Sequence, residues 1–222
     1  MLKIPLPPAG VYRTHGQLYQ RRQQVKTNKT KLLVLSAMFA GFSVIAAQLY
    51  IPISEVNQTL TLVSIFVAAG ILGAKWGFIS QAAYVMLGVV GVPAFSGFRG
   101  GLGMIVGNPS GGFIMSFAVT AFVTGFLFEK FSMPLIEKHK AKTRNTRSVK
   151  ISYMIYLIIP MYVGWIITYS FGIAYFIFIT GINLRAGILF FSAYYVGDIF
   201  KSIAAAYLIL RLKPLLKNAN LN

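Results

Sequence analysis

The sequence predicts an all-α integral membrane protein with six transmembrane helices and a glycine-rich outer loop between helices 3 and 4. Of the 222 residues, 56% are hydrophobic and 11% are charged, and the mean hydropathy is +0.68. This leaves too few charges to cover a soluble globule. The formal net charge of +17 does not indicate nucleic-acid binding, because the basic residues collect in the segments between apolar runs. Such a distribution is typical of the positive-inside rule.

Residues 1–30 are predicted to form a basic cytoplasmic N-terminal tail. The segment is polar and lacks the apolar core of a signal peptide. It either rests on anionic lipid or stays solvated, and no amphipathic period favours the lipid-bound form. A six-helix membrane domain is predicted over residues 31–217, followed by a C-terminal tail at 218–222.

The first predicted span, residues 32–51, is long enough to cross the hydrocarbon layer at about 1.5 Å per residue. It carries two pairs of small residues four positions apart, Ser36 with Ala40 and Ala37 with Gly41. Small residues at this spacing let another helix approach closely. That helix could belong to the same chain or to a partner.

The next two spans are predicted over residues 56–73 and 78–92, after an outer connection at 52–58. Lys75 marks an inner turn between them. Beyond the central loop, three more spans are predicted over residues 111–128, 151–179 and 187–210. A basic cytoplasmic loop at 129–150 and an outer turn at 180–185 separate them. Pro160 is expected to kink the span 151–179.

The charges support this topology. All but three of the 21 lysines and arginines fall in the N-terminal tail with its flank to Lys31, the inner turn, the 129–150 loop or the basic C-terminal end at 211–217. Arg99 and Arg185 lie in outer segments, and Lys201 lies within the last span. Both termini are therefore predicted to face the cytoplasm.

The segment from residue 88 to residue 117 is too interrupted by glycine and proline to be one helix. Within a membrane, irregular backbone is tolerated only where protein or a water-filled cavity satisfies its polar groups. An ordinary glycine-rich external loop is the alternative. We favour a loop that forms part of a binding site.

A charge pair in the last span is the second candidate for a site. Asp198 and Lys201 lie three residues apart on one helix face, among apolar and small residues. Each charge at such depth costs about 2.5 to 3.5 kcal/mol on insertion scales, so intramembrane ionisable residues are functional candidates. A self-neutralising structural pair is the alternative.

Several short motifs recur in a fixed order: YVMLG at 84–88, GVPAFSG at 91–97, GGLG at 100–103, PSGGF at 109–113 and GDIFKS at 197–202. Together they resemble the BioY family, the biotin-binding S components of energy-coupling factor transporters. The resemblance extends from Lys31 to Leu216. It departs from the family pattern at Asn57, where the family has a proline, at Thr61, where it has a glutamine, and by one inserted residue near Asn108.

The resemblance implies a biotin site. Biotin presents a carboxylate, a planar ureido group and an apolar ring and chain. Lys201 would meet the carboxylate, with Arg99 as its rival. Asp198 would hold the lysine or accept from the ureido N–H groups. The backbone amides of Gly100 and Gly101 could form a nest around the ligand. Asn57 and Gln58 could offer side-chain amides as polar contacts, and the rings of Tyr84 and Phe95 could form walls.

The resemblance also implies partners and a location in the bacterial cell membrane. Ala37, Ala40 and Gly41 would contact the transmembrane T component, beside which two cytoplasmic ATPases would act. This chain contains no phosphate-binding loop of its own, so it would capture substrate rather than pump it.

Other function classes are less favoured. The chain has no cysteine, and its two histidines and four acids are scattered, which predicts no metal site, no cofactor and no enzyme activity. An ion-coupled secondary carrier with Asp198 as a proton-coupled carboxylate stays open. So does an S component for another carboxylated vitamin.

Overall fold

The computed structural model describes the backbone of residues 9–53, 55–142 and 146–218, and the side chains of residues 29–53, 55–136, 138 and 153–216. The described elements are α1 (Ala9–Gln48), β1 (Tyr50–Ile51), β2 (Gln58–Thr59), α2 (Thr61–Val89), α3 (Gly111–Leu127), α4 (Met133–Lys142), α5 (Thr146–Thr180), α6 (Leu184–Phe190) and α7 (Ser192–Asn218). Four stretches of these helices are long and apolar enough to cross a membrane: Lys29–Gln48, Thr61–Val89, Gly111–Ile136 and Tyr153–Thr180. The predicted helical membrane class is confirmed.

The helix α2 reverses direction at Gly73. This glycine has φ +78° and ψ −173°, which are not helical values. A Cβ atom on Gly77 would lie 3.2 Å from the Cα of Ala69. In a straight helix, residues eight apart would be separated by about 12 Å along the axis. The element therefore consists of two antiparallel arms, 61–72 and 74–89, which correspond to the second and third predicted spans.

Two charged side chains satisfy the backbone at this reversal. The Ala74 N–H donates to Glu129 Oε1 (3.1 Å), and Lys213 Nζ donates to the Gly70 carbonyl (3.3 Å). They hydrogen-bond to backbone N–H and C=O groups that lose their intrahelical partners where the helix is interrupted. A side chain at Gly73 would overlap the Glu129 carboxylate, so the left-handed turn requires glycine here.

The helices extend beyond the boundaries predicted from the sequence. The fourth span continues through a π-helical turn (Phe128–Ser132) into α4, so residues 129–142 are helical rather than a loop. The long straight-chain residues of this segment are good helix formers, and Pro134 lies in the first turn of α4. Similarly, α1 begins at Ala9, well inside the predicted tail. The predicted C-terminal tail lies outside the described residues apart from Asn218.

The outer ends also differ from the prediction. The first connection is an antiparallel hairpin in which Tyr50 pairs with Thr59 and Ile51 with Gln58. The last predicted span is divided into α6 and α7 by a break at Phe191. The Phe191 ring is fully buried, in contact with Phe176 and Tyr194, and this packing holds the break in place.

The small residues of the first span face two directions. Ala40 is 2% exposed, and Ser36 Oγ donates to the carbonyl of Trp76 on α2 (3.3 Å). This pair mediates packing within the chain. Ala37 and Gly41 are exposed instead. Burial therefore distinguishes Ala40 from the other two residues that the resemblance assigned to a partner surface, although Ala37 and Ala40 line one surface groove against α2.

Candidate functional site

A cavity lies under the outer hairpin and the glycine-rich loop, between α2, α3, α5 and α7. Together with its opening, its empty space is about 700 Å³. The structure brings six of the nine predicted ligand-binding residues to its wall: Asn57, Gln58, Tyr84, Phe95, Asp198 and Lys201. Residues far apart in the sequence thus share one site.

The charge pair on α7 lies in the wall of this cavity. Lys201 Nζ is 2.7 Å from Asp198 Oδ1, and the two residues are 9% and 4% exposed. It is the one salt bridge found among the described side chains. Because its net charge is zero, the pair is far less costly to bury than either charge alone.

Asp198 accepts hydrogen bonds from four side chains. Its Oδ1 accepts from Lys201 Nζ and from Gln58 Nε2 (3.4 Å). Its Oδ2 accepts from Trp165 Nε1 (2.9 Å) and from the Tyr169 hydroxyl (2.7 Å). A carboxylate has about four acceptor positions, so protein donors occupy nearly all of them. This arrangement makes Asp198 a support for Lys201.

The sequence analysis did not identify Trp165 and Tyr169. They lie four residues apart on α5 and therefore on one helix face. Their rings are 4.8 Å apart and pack around Tyr195 at 5.0 and 5.1 Å. The sequence signal that could have identified them is a tryptophan and a tyrosine four residues apart in an apolar run. Both side chains have a polar group that needs a hydrogen-bond partner when it is buried.

Gln58 joins the outer hairpin to α7. Besides reaching Asp198, its Nε2 donates to the Tyr194 carbonyl (3.0 Å). The Tyr194 hydroxyl donates back to the Val56 carbonyl. Gly197 leaves the space that the Gln58 amide occupies, since a Cβ there would overlap it. The hairpin is therefore fixed over the charge pair.

The two outer loops meet above the cavity. Asn57 Nδ2 donates to Ser96 Oγ (3.1 Å), which links the hairpin to the glycine-rich loop. Phe95 is buried against Tyr84 in an edge-to-face arrangement with centroids 5.9 Å apart. Gly88 makes this possible, because a Cβ there would overlap the Phe95 ring. Both aromatic residues line the cavity.

Three predicted residues do not reach the cavity. Arg99 is exposed, and its Nε donates to the Ser96 carbonyl (3.1 Å). The Gly101 N–H donates to the Gly88 carbonyl (2.7 Å), so it is used within the loop. A Cβ on Gly100 would overlap the Val92 carbonyl. Gly100 allows close backbone packing, and Gly101 adopts a positive φ of +93°. Neither glycine lines the cavity in this structure.

The rest of the cavity is largely apolar and aromatic. The sequence analysis did not assign its other lining residues, which include Phe113, Phe117, Phe191 and the hydroxyl-bearing Thr61 and Thr168. A mostly apolar pocket with a few convergent polar groups suits a small molecule that has both characters. Among the described residues, no group of three or more acidic or histidine side chains could hold a metal ion.

Comparisons with known proteins identify the family of the chain. The family model described as "BioY family" matches residues 20–218. The "Biotin transporter BioY" of Rhizobium etli is 31% identical over 81% of this chain and 91% of its own length. That of Thermotoga maritima is 40% identical over 44% of this chain, a match that spans 57% of the relative.

A solved structure gives the same result. The crystal structure of the S-component for biotin from an ECF-type ABC transporter has a TM-score of 0.68 and 27% sequence identity. The match covers 85% of this chain and 93% of that one. Because the family model spans nearly the whole sequence and a relative above 30% identity is covered almost completely, the chain belongs to the BioY family.

Proposed function

We propose that this chain is the substrate-binding S component of an energy-coupling factor transporter and that it captures biotin from outside the cell. The observation that carries the proposal is the buried Asp198–Lys201 pair in the wall of the cavity. Relatives are named biotin transporters, and the solved neighbour is the S-component for biotin. The chain is a transporter subunit and not an enzyme.

Lys201 donates to the ureido oxygen of biotin in this proposal. Asp198 already neutralises the Lys201 charge, so a carboxylate beside the pair would bring an uncompensated negative charge into a buried site. A neutral ureido oxygen adds no net charge. The surrounding aromatic rings, including Tyr84 and Phe95, would pack against the apolar ring system.

The carboxylate of biotin then lies towards the opening, where Arg99 attracts it. Arg99 is exposed and sits three residues from Ser96, which lines the cavity. Its planar guanidinium suits a carboxylate. This arrangement assigns opposite ends of the ligand to the two cations that the sequence left as rivals.

Calorimetric titration of the detergent-purified chain tests both assignments. The unmodified protein should bind biotin with one-to-one stoichiometry. Arg99→Ala should weaken biotin binding about fivefold, which is typical of an exposed ion pair. Binding of the neutral methyl ester of biotin should change less than about twofold, because the ester offers no charge to Arg99.

Two results would count against these assignments. Absence of biotin binding by the well-folded, unmodified protein would contradict the proposed function. An equal loss for biotin and its methyl ester in Arg99→Ala would mean that Arg99 acts through the loop and not on the carboxylate. Lys138→Ala, which removes an exposed lysine near the inner end of α4, is the matched control for lost positive charge.

Six membrane crossings follow from the helices. We assign them to α1, the two arms of α2, α3, α5 and α7, with both termini in the cytoplasm because the basic residues cluster at the inner ends. Two cytoplasmic ATPases and a membrane T component would supply the energy, because the chain has no phosphate-binding loop. The four donors on Asp198 disfavour a proton-coupled carrier.

Gly41 and Ala37 form the exposed small-residue surface of α1 that we assign to the T component. Gly41→Leu should reduce ATP-dependent biotin uptake about tenfold or more in cells that also express the T component and the ATPases, since it blocks close helix approach. Biotin affinity of the purified chain should not change, because Gly41 does not line the cavity. Normal uptake by this variant would remove α1 from the proposed contact.

Val163→Leu is the control for this experiment. Val163 is also exposed and apolar, but it lies on α5. Uptake that falls equally in both variants would indicate a general effect of enlarging a lipid-facing side chain.

A further inference from the structure

Gln48, the last residue of α1, binds the glycine-rich loop through its whole side-chain amide. Its Nε2 donates to the carbonyls of Phe95 (3.1 Å) and Pro93 (3.4 Å). Its Oε1 accepts from the N–H of Phe98 (2.9 Å). One side chain on a helix thus spans the loop segment 93–98, which closes over the cavity.

That segment places two cavity residues. Phe95 is 2% exposed and forms part of the wall. Ser96 lines the cavity and accepts the hydrogen bond from Asn57 on the opposite loop. Gln48 itself is absent from the cavity wall. Any effect of Gln48 on a ligand must therefore act through the segment it holds.

The backbone at the end of this segment is strained. Phe98 has φ +57°, and among the described residues it is the one non-glycine residue with a positive φ. A bulky side chain in this conformation is unfavourable and persists only where surrounding contacts impose it. Phe98 is 71% exposed, so burial of its ring does not provide that contact. Two other sets of contacts do: the backbone hydrogen bonds between Phe95 and Arg99 close the turn around Phe98, and the Phe98 N–H donates to Gln48.

We propose that Gln48 is a positioning residue that keeps segment 93–98 closed over the cavity and so slows dissociation of the bound ligand. The proposal rests on the function proposed above, with biotin as the ligand. A ligand enclosed under a loop leaves when the loop opens, so weaker loop contacts act mainly on the dissociation rate. The position of Gln48 at the end of α1 also joins this loop to the helix that carries Gly41.

Two variants separate the contributions of the amide. Gln48→Met keeps an unbranched side chain of similar length and removes the three hydrogen bonds to the loop, together with a long one to the Val44 carbonyl (3.5 Å). Gln48→Glu keeps the acceptor for the Phe98 N–H and replaces the donor to the two carbonyls with an acceptor. Leu49→Met is the matched control, because Leu49 is the next residue and is 56% exposed.

Dissociation of radiolabelled biotin into excess unlabelled biotin should be about tenfold faster in Gln48→Met, which corresponds to the net loss of one or two hydrogen bonds. Gln48→Glu should lie between Gln48→Met and the unmodified protein. Association rates should stay within about twofold, since the cavity residues are unchanged. The melting temperature of the ligand-free protein should not fall, which distinguishes positioning from a general structural role.

Hydrogen exchange of the ligand-free protein is the second readout. Segment 93–98 should exchange faster in Gln48→Met and not in Leu49→Met. An unchanged dissociation rate together with unchanged exchange would overturn the proposal, as would a slower association rate alone. If the unmodified protein fails to bind biotin, the proposed function fails, while the exchange measurement still decides whether Gln48 holds the loop.

Discussion

Replacing Lys201 with methionine is expected to weaken biotin binding thirtyfold to about a hundredfold, the loss of one charge-assisted hydrogen bond in a buried site. Methionine keeps most of the apolar stem and removes the ammonium group. The methyl ester of biotin should lose as much affinity as biotin itself, because both retain the ureido oxygen. Calorimetric titration of both ligands provides the measurement.

The fold should largely survive this substitution. Asp198 keeps its hydrogen bonds from Gln58, Trp165 and Tyr169 when Lys201 is replaced. The unpaired buried carboxylate costs some stability, and its three remaining donors offset part of that cost. Lys130→Met, at an exposed lysine, is the control for loss of a positive charge.

Two outcomes would contradict the assignment of Lys201. Undiminished biotin binding would remove it from the ligand contacts altogether. A loss confined to biotin, with the methyl ester unaffected, would place the carboxylate at Lys201 and reverse the ligand in the cavity.

The sequence was sufficient to single out the charge pair and two aromatic residues that the structure brings to one cavity. Asp198 and Lys201 stand out because two charges interrupt an apolar span. Placing a charged side chain within the membrane costs free energy, so such residues are rare and usually functional. Tyr84 and Phe95 were found through the order of the loop motifs. In both cases the evidence is a short sequence pattern around the residues themselves.

Contacts between distant segments could not be predicted in the same way. Trp165 and Tyr169 donate to a carboxylate about thirty residues further along the chain, and an apolar helix pattern does not show which residues it will meet. Gly100 illustrates the same limit. Glycine permits close approach of the backbone, but composition does not tell whether the approaching group is a ligand or, as here, another part of the chain.

Helix boundaries were predicted least well where polar residues continue a helix. Residues 129–142 carry charged side chains that predict a loop by polarity but are compatible with a helix by propensity. The turn at Gly73 was predicted within two residues because Lys75 marks it. The Glu129 carboxylate that occupies the space beside Gly73 comes from a distant part of the chain, and this contact could not be predicted.

Replacing Asp198 with leucine is expected to destabilise the protein by about 3 to 5 kcal/mol and to abolish biotin binding, because it leaves a buried cation unpaired. Lys201 has no other acidic partner among the described residues. Trp165 and Tyr169 also lose their acceptor. Thermal unfolding of the ligand-free protein should therefore show a much larger loss for Asp198→Leu than for Lys201→Met.

The double variant Asp198→Leu with Lys201→Met separates stability from function. Removing both charges leaves no uncompensated ion, so the melting temperature should recover most of the loss while biotin binding stays absent. Recovery of both would mean that the pair only supports the fold. Recovery of neither would mean that the donors from α5, rather than the ionic contact, determine stability at this site. We expect this combination where two charges are buried for ligand recognition: apolar residues can replace the pair in the folded protein, but they cannot bind the ligand.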